Sequence, residues 1–149
     1  MQPKQSEAGV VIDTNVALDM WVFKDTRTED LKNALDKKTL NWIATNAMRE
    51  ELKRVLDYPH IKFRLLKMQK TLDDVMGNFD ALVDIKADAS KCEFTCKDPD
   101  DQKFIDLAVF YSAELISKDK CVLTMKNRLQ RLGVVVHSQW PQKSSEFEN

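Results

Sequence analysis

The chain has 149 residues, 43% hydrophobic and 32% charged, with a net charge of −1. That is one domain's worth of chain, long enough to bury a real core, with the composition of an ordinary soluble globular protein. No apolar run is long enough to span a bilayer, and the near-neutral charge carries no global mark of a nucleic-acid binder, so any such role must come from local charge.

In chain order, the polar residues 1–8 read as a flexible leader without the features of a signal peptide, which predicts a cytoplasmic protein. A strand is predicted over Gly9–Thr14, where the apolar run Val10-Val11-Ile12 ends on Asp13. A helix follows through Val16, Leu18, Met20, Trp21 and Phe23, and Thr28-Glu29-Asp30 opens a second one with a hydroxyl cap. Leu40–Ala44 reads as a second strand, and Thr45-Asn46 caps a helix from Ala47 to Leu56 that Tyr58-Pro59 interrupts. From Ile61 to Val83 one helical pattern is predicted, with Phe63, Leu66, Leu72, Val75, Met76 and Phe79 facing inward. A short strand is expected near Val83-Asp84-Ile85, after which Asp84–Cys96 has no clear pattern. Asp98-Pro99 starts a helix reaching Ala113, and Leu115–Ser117 forms a strand. Lys120–Leu132 is expected as one helix closed by Gly133, followed by a strand over Val134–Val136.

Strands alternating with helices predict an α/β fold, a central, mostly parallel β-sheet with helices on both faces in a three-layer α/β/α sandwich. The domain is expected to cover residues 9–137, with a loose polar tail over 138–149. Cys92, Cys96 and Cys121 are an odd set without disulfide spacing and read as reduced thiols, and with His60 and His137 isolated they do not make a zinc site.

The acids fall in equivalent places. Asp13 and Asp119 end strands, although each is also a good helix N-cap. On the third helix Met48, Leu52, Val55 and Leu56 form the apolar stripe; Glu50 points away from it and Glu51 lies at its edge. On the helix after Pro99, Phe104, Ala108 and Tyr111 define the inward stripe. Asp101 lies within about 40° of its centre, Asp100 slightly further, and Asp106 is expected at the surface. Asp98 is explained as the N-cap. If all strands run parallel, Asp13, Glu51, Asp101 and Asp119 can converge at one edge of the sheet. Four carboxylates so placed need divalent cations, and hard oxygen donors favour Mg²⁺ or Mn²⁺. The chemistry most often built on such a set is metal-assisted phosphodiester hydrolysis.

These stretches, taken in order, resemble the PIN-domain family, and within it the bacterial toxins of toxin–antitoxin systems (VapC-like ribonucleases). The matching motifs are Val11-Ile12-Asp13-Thr14-Asn15, Arg49-Glu50-Glu51-Leu52, the run from Lys97-Asp98-Pro99-Asp100-Asp101 to Leu107-Ala108, and Ile116-Ser117-Lys118-Asp119. The resemblance implies a metal-dependent endoribonuclease acting on single-stranded RNA with one or two Mg²⁺ or Mn²⁺ ions. Asp13, Glu51, Asp101 and Asp119 would hold the metal, with Asp98 and Asp100 as secondary candidates. Thr14, Asn15 and Ser117 would orient that set by hydrogen bonds. It also implies a small antitoxin partner and a homodimer.

The chain departs from the family's common Thr-Gly-Asp at Ser117-Lys118-Asp119. Lys118 and Lys120, flanking Asp119, are candidates for binding substrate phosphate. Two basic stretches, Lys53–Lys70 and Lys118–Arg131, are candidate backbone grips, each weighed against a solvated helix face. Trp21 and Phe23 are expected in packing rather than base stacking. The rival readings are a receiver-type signalling domain, which lacks its paired acids here, and a non-catalytic PIN-like module that binds RNA or protein.

Overall fold

In the computed structural model, which describes residues 8–141, a five-stranded sheet is built from β1 (Ala8–Ile12), β2 (Leu40–Thr45), β3 (Val83–Lys86), β4 (Glu114–Ile116) and β5 (Val136–His137). Its order is β3-β2-β1-β4-β5, and every pairing is parallel. Parallel neighbours need crossovers, and helices supply them, giving the three-layer α/β/α sandwich. They are α1 (Thr14–Trp21), α2 (Glu29–Asp36), α3 (Asn46–Leu56), α4 (Pro59–Lys67), α5 (Leu72–Leu82), α6 (Pro99–Tyr111), α7 (Lys120–Leu123) and α8 (Lys126–Arg131).

The central strand is covered on both faces, so Val10 and Val11 are both fully buried, as a continuous apolar run requires. Trp21 stacks on Trp42 at 5.3 Å between ring centroids, and Phe79 meets Trp42 edge-on at the same distance. Phe23, by contrast, is 38% exposed with the Arg64 guanidinium over its ring. The three cysteines are free, and no described helix is long and apolar enough to cross a membrane.

Six expectations about these elements are corrected. The pattern from Ile61 to Val83 is two helices, because Gln69 takes φ +58° and Thr71 starts α5 with a reciprocal capping box to Asp74. The helix then runs straight into β3. On α4 the buried pair is Ile61 and Leu65, while Phe63 and Leu66 are 60% and 72% exposed. Both pairs have helical spacing, and only packing decides between them. The Lys120–Leu132 segment breaks at Thr124–Met125 into α7 and α8. Thr28 does not cap α2 with its hydroxyl, which donates instead to the Asp25 carbonyl at 2.6 Å. Tyr111 is exposed at the end of α6, and the last strand is Val136–His137 rather than Val134–Val136.

Residues 1–7 and 142–149, most of the expected leader and tail, lie outside the described residues. Within the tail, the Trp140 indole N–H donates to Glu114 Oε1 at 3.1 Å.

Candidate active site

The chain builds outward from β1 in one direction and then crosses to β4 on its other side. The carboxyl ends of β1 and β4 therefore flank the switch point of the sheet, where open α/β folds leave a crevice. Ile12 lies opposite Ile116, and the Asp13 amide donates to the Ile116 carbonyl at 3.0 Å. That register sets Asp13 beside Ser117 by backbone geometry alone.

Asp13 occupies the N-cap position of α1 but makes no side-chain cap there. Its Oδ2 instead accepts from the buried Ser117 hydroxyl at 2.8 Å. The same Ser117 oxygen accepts from the Asp119 amide at 3.1 Å, so one hydroxyl ties both strand-end acids together. Asp119 caps α7 through Oδ1, which accepts from the Cys121 amide at 2.8 Å. Asp98 caps α6 in the same manner, accepting from the Asp100 amide at 3.0 Å. One turn on, Asp101 projects from the same side of α6 and is buried. Asp98, Asp101 and Asp119 each bring a carboxylate oxygen within 4.8 Å of the others.

This crowding shows in the titration of the buried acids. Burial, followed by repulsion from Asp13, Asp119 and Asp98, pushes the Asp101 carboxyl up to about 7. Asp13 is also raised, chiefly by burial, with its Ser117 bond opposing and Glu51 and Asp119 adding repulsion. Asp101 Oδ2 is buried without a hydrogen-bond partner. An orphaned buried carboxylate oxygen is costly unless a cation or proton meets it.

Glu51 lies at the margin of the set, half-buried on α3. Its Oε2 accepts from the Thr14 hydroxyl at 2.8 Å, and Oε1 sits 2.5 Å from the Lys103 ammonium. Thr14 and Ser117 thus each hold an acid of the set, whereas Asn15 is exposed and makes no side-chain hydrogen bond among the described residues. Asp100 is exposed, outside the cluster. Glu50 is exposed and pairs with Arg49 at 3.5 Å. The ammonium of Lys118 is taken by Asp19.

Asp106, expected at the surface, is 8% exposed. Its Oδ1 accepts from the Cys92 amide at 3.0 Å and from the Gln102 side chain at 2.8 Å, pinning the loop before α6. Of the two secondary candidates, Asp98 joins the set and Asp100 does not, because N-cap and N3 share one side of a helix's first turn. Lys103 was overlooked; its spacing from Asp100 and Phe104 carried no signal, since its partner comes from α3.

The residues fit a divalent cation: all donors are hard oxygens, three converge, and one is buried without a partner. A model of the PIN domain family matches residues 9–120. The chain belongs to the PIN domain family. No curated protein and no solved structure matches it. PIN domains have a nuclease-type fold, are typically nucleases and usually use divalent metals, and this one carries its acidic group at the switch point of the sheet.

Proposed function

We propose that this PIN domain is a metal-dependent endoribonuclease that hydrolyses phosphodiester bonds of single-stranded RNA. The observation that carries the reading is the partnerless, buried Asp101 oxygen among the converging oxygens of Asp98, Asp101 and Asp119. Asp13, Glu51, Asp101 and Asp119 would hold one or two ions, with Asp98 joining them. Bound there, Mg²⁺ or Mn²⁺ supplies Lewis-acid polarisation of the phosphodiester and a more acidic water.

The chain's own residues prepare that set. Ser117 holds Asp13 Oδ2 in one orientation, and Thr14 does the same for Glu51 Oε2. Asp101 retains its proton up to about neutral pH and must release it for both oxygens to act as donors. Lys103 neutralises Glu51 until another cation competes for it. A toxin's role, an antitoxin partner and pairing as a homodimer are supported by the motif resemblance. The three free thiols suit a reducing cytoplasm.

The test is cleavage of a labelled single-stranded RNA with Mg²⁺ or Mn²⁺ against EDTA. Asp13→Asn and Asp119→Asn are each expected to lower the rate at least about a hundredfold, beyond the typical cost of losing an outer-shell partner. Cutting that survives in EDTA, or in both variants, refutes the assignment. The Lys103–Glu51 pair favours one alternative, a PIN-like binding module in which a lysine replaces the metal. Calorimetric titration that finds no Mn²⁺ binding to the wild-type protein would support it.

A further inference from the structure

A strand of RNA carries one negative charge per residue, so a cluster of acids repels it on both sides of the bond to be cut. Binding needs unspent cations close by. Two of the lysines nearest the cluster are already spent, Lys103 on Glu51 and Lys118 on Asp19. Lys97, Lys120 and Arg128 are paired with no carboxylate among the described residues, and all three line one cavity of about 510 Å³. Thr95, Thr124 and Cys121 line it with them, and none of its lining residues is acidic.

The groove has a built wall and floor. Its wall is the loop before α6, held by Asp106 to the Cys92 amide and by Gln102, which donates to the Phe94 carbonyl and accepts from the Cys96 amide. Phe94 in turn lies under the Arg128 guanidinium, 5.9 Å from ring centroid to carbon, which fixes that cation on the groove. The floor is the break at Thr124–Met125 between α7 and α8. Lys97 directly precedes Asp98, Lys120 directly follows Asp119, and Cys121, whose amide donates to Asp119 Oδ1, lines the cavity with them, so the groove lies beside the acidic cluster.

We propose that this groove takes the sugar–phosphate backbone of single-stranded RNA next to the bond presented to the acids. Lys97, Lys120 and Arg128 contact its phosphates, and the cavity has room for a nucleotide. The proposal rests on the nuclease reading for its substrate, but it concerns binding and is separable from cutting.

The experiment is fluorescence anisotropy of a short fluorescein-labelled single-stranded RNA titrated with full-length protein in EDTA, over a series of KCl concentrations. The double variant Lys97→Ala, Arg128→Ala is expected to bind about tenfold more weakly, with a salt slope shallower by about 1.4 for two lost phosphate contacts. The control is Lys37→Ala, Lys38→Ala, which removes the same charge just before β2, at the opposite end of the sheet. It is expected to bind as the wild type does. An unchanged affinity in the groove variant, an equal loss in the control, or a wild type that does not bind the RNA overturns the groove. Binding that depends on the groove without any cutting in Mn²⁺ would leave the groove standing and remove the nuclease reading.

Discussion

Asp101 illustrates how one side chain can be both a burden and an asset. Its carboxyl has an ordinary value of 3.8 and is raised to about 7 by burial and by its acidic neighbours. A raised carboxyl holds its proton more tightly in the folded chain than in the unfolded one. Stability of the metal-free protein is therefore greatest below about 3.8 as far as this group is concerned, and falls as pH climbs to about 7. Asp101→Asn removes the charge at nearly constant volume. Melting curves in EDTA between pH 4 and 8 are expected to show a higher Tm for the variant at the alkaline end and a smaller decline with pH. Asp13, raised in the same direction, leaves some decline in place. The same variant is expected to bind no Mn²⁺ by calorimetry. A variant that tracks the wild type across that pH range would mean that Asp101 is ionised without penalty.

At the scale of elements, the loop before α6 has no regular structure, yet it is held from beneath. Asp106 and Gln102 lie one turn apart on α6 and satisfy the amides of Cys92 and Cys96. Asp106→Ala leaves the Cys92 amide and the Gln102 side chain short of a partner, at a cost of about 1–3 kcal/mol. Hydrogen exchange followed by mass spectrometry is expected to show faster exchange across residues 91–98 in this variant, with β1 and β4 still protected. Unchanged exchange in that loop would show that its packing, and not Asp106, holds it. A helical wheel assigns Asp106 to the surface because it sees only the face of α6 turned to the sheet; the loop covers the opposite face. The α4 stripe fails for a related reason, since Ile61 with Leu65 and Phe63 with Leu66 are equally periodic. The split between α4 and α5 was legible, in the capping-box pattern Thr71-x-x-Asp74.

For the molecule as a whole, folding gathers negative charge from β1, α6 and the β4–α7 connection into one crevice, so folding and cation binding are linked. An ion that binds only the folded chain adds about 2.7 kcal/mol of stability at a hundred times its dissociation constant. For a chain of this size that is a rise in Tm of about 5–10 °C. Thermal unfolding with saturating Mn²⁺ is expected to show this rise in the wild type and little of it in Asp119→Asn. Equal shifts in both would place the cation elsewhere.

The sequence by itself determined the layered architecture, because alternation of apolar runs with helical periodicity admits few alternatives to a parallel sheet with crossovers. It also put Asp13 and Asp119 at strand ends and Asp101 near the inward stripe of α6, since strand and helix periods act over a few residues. Only the tertiary structure decided which acids meet. The switch between β1 and β4 sets Asp13 against Ser117, the first turn of α6 adds Asp98 and leaves Asp100 outside, and Lys103 finds Glu51 on a helix some fifty residues earlier in the chain. Those contacts join residues distant in sequence, so the local periodicity that reveals each element carries no record of its partner.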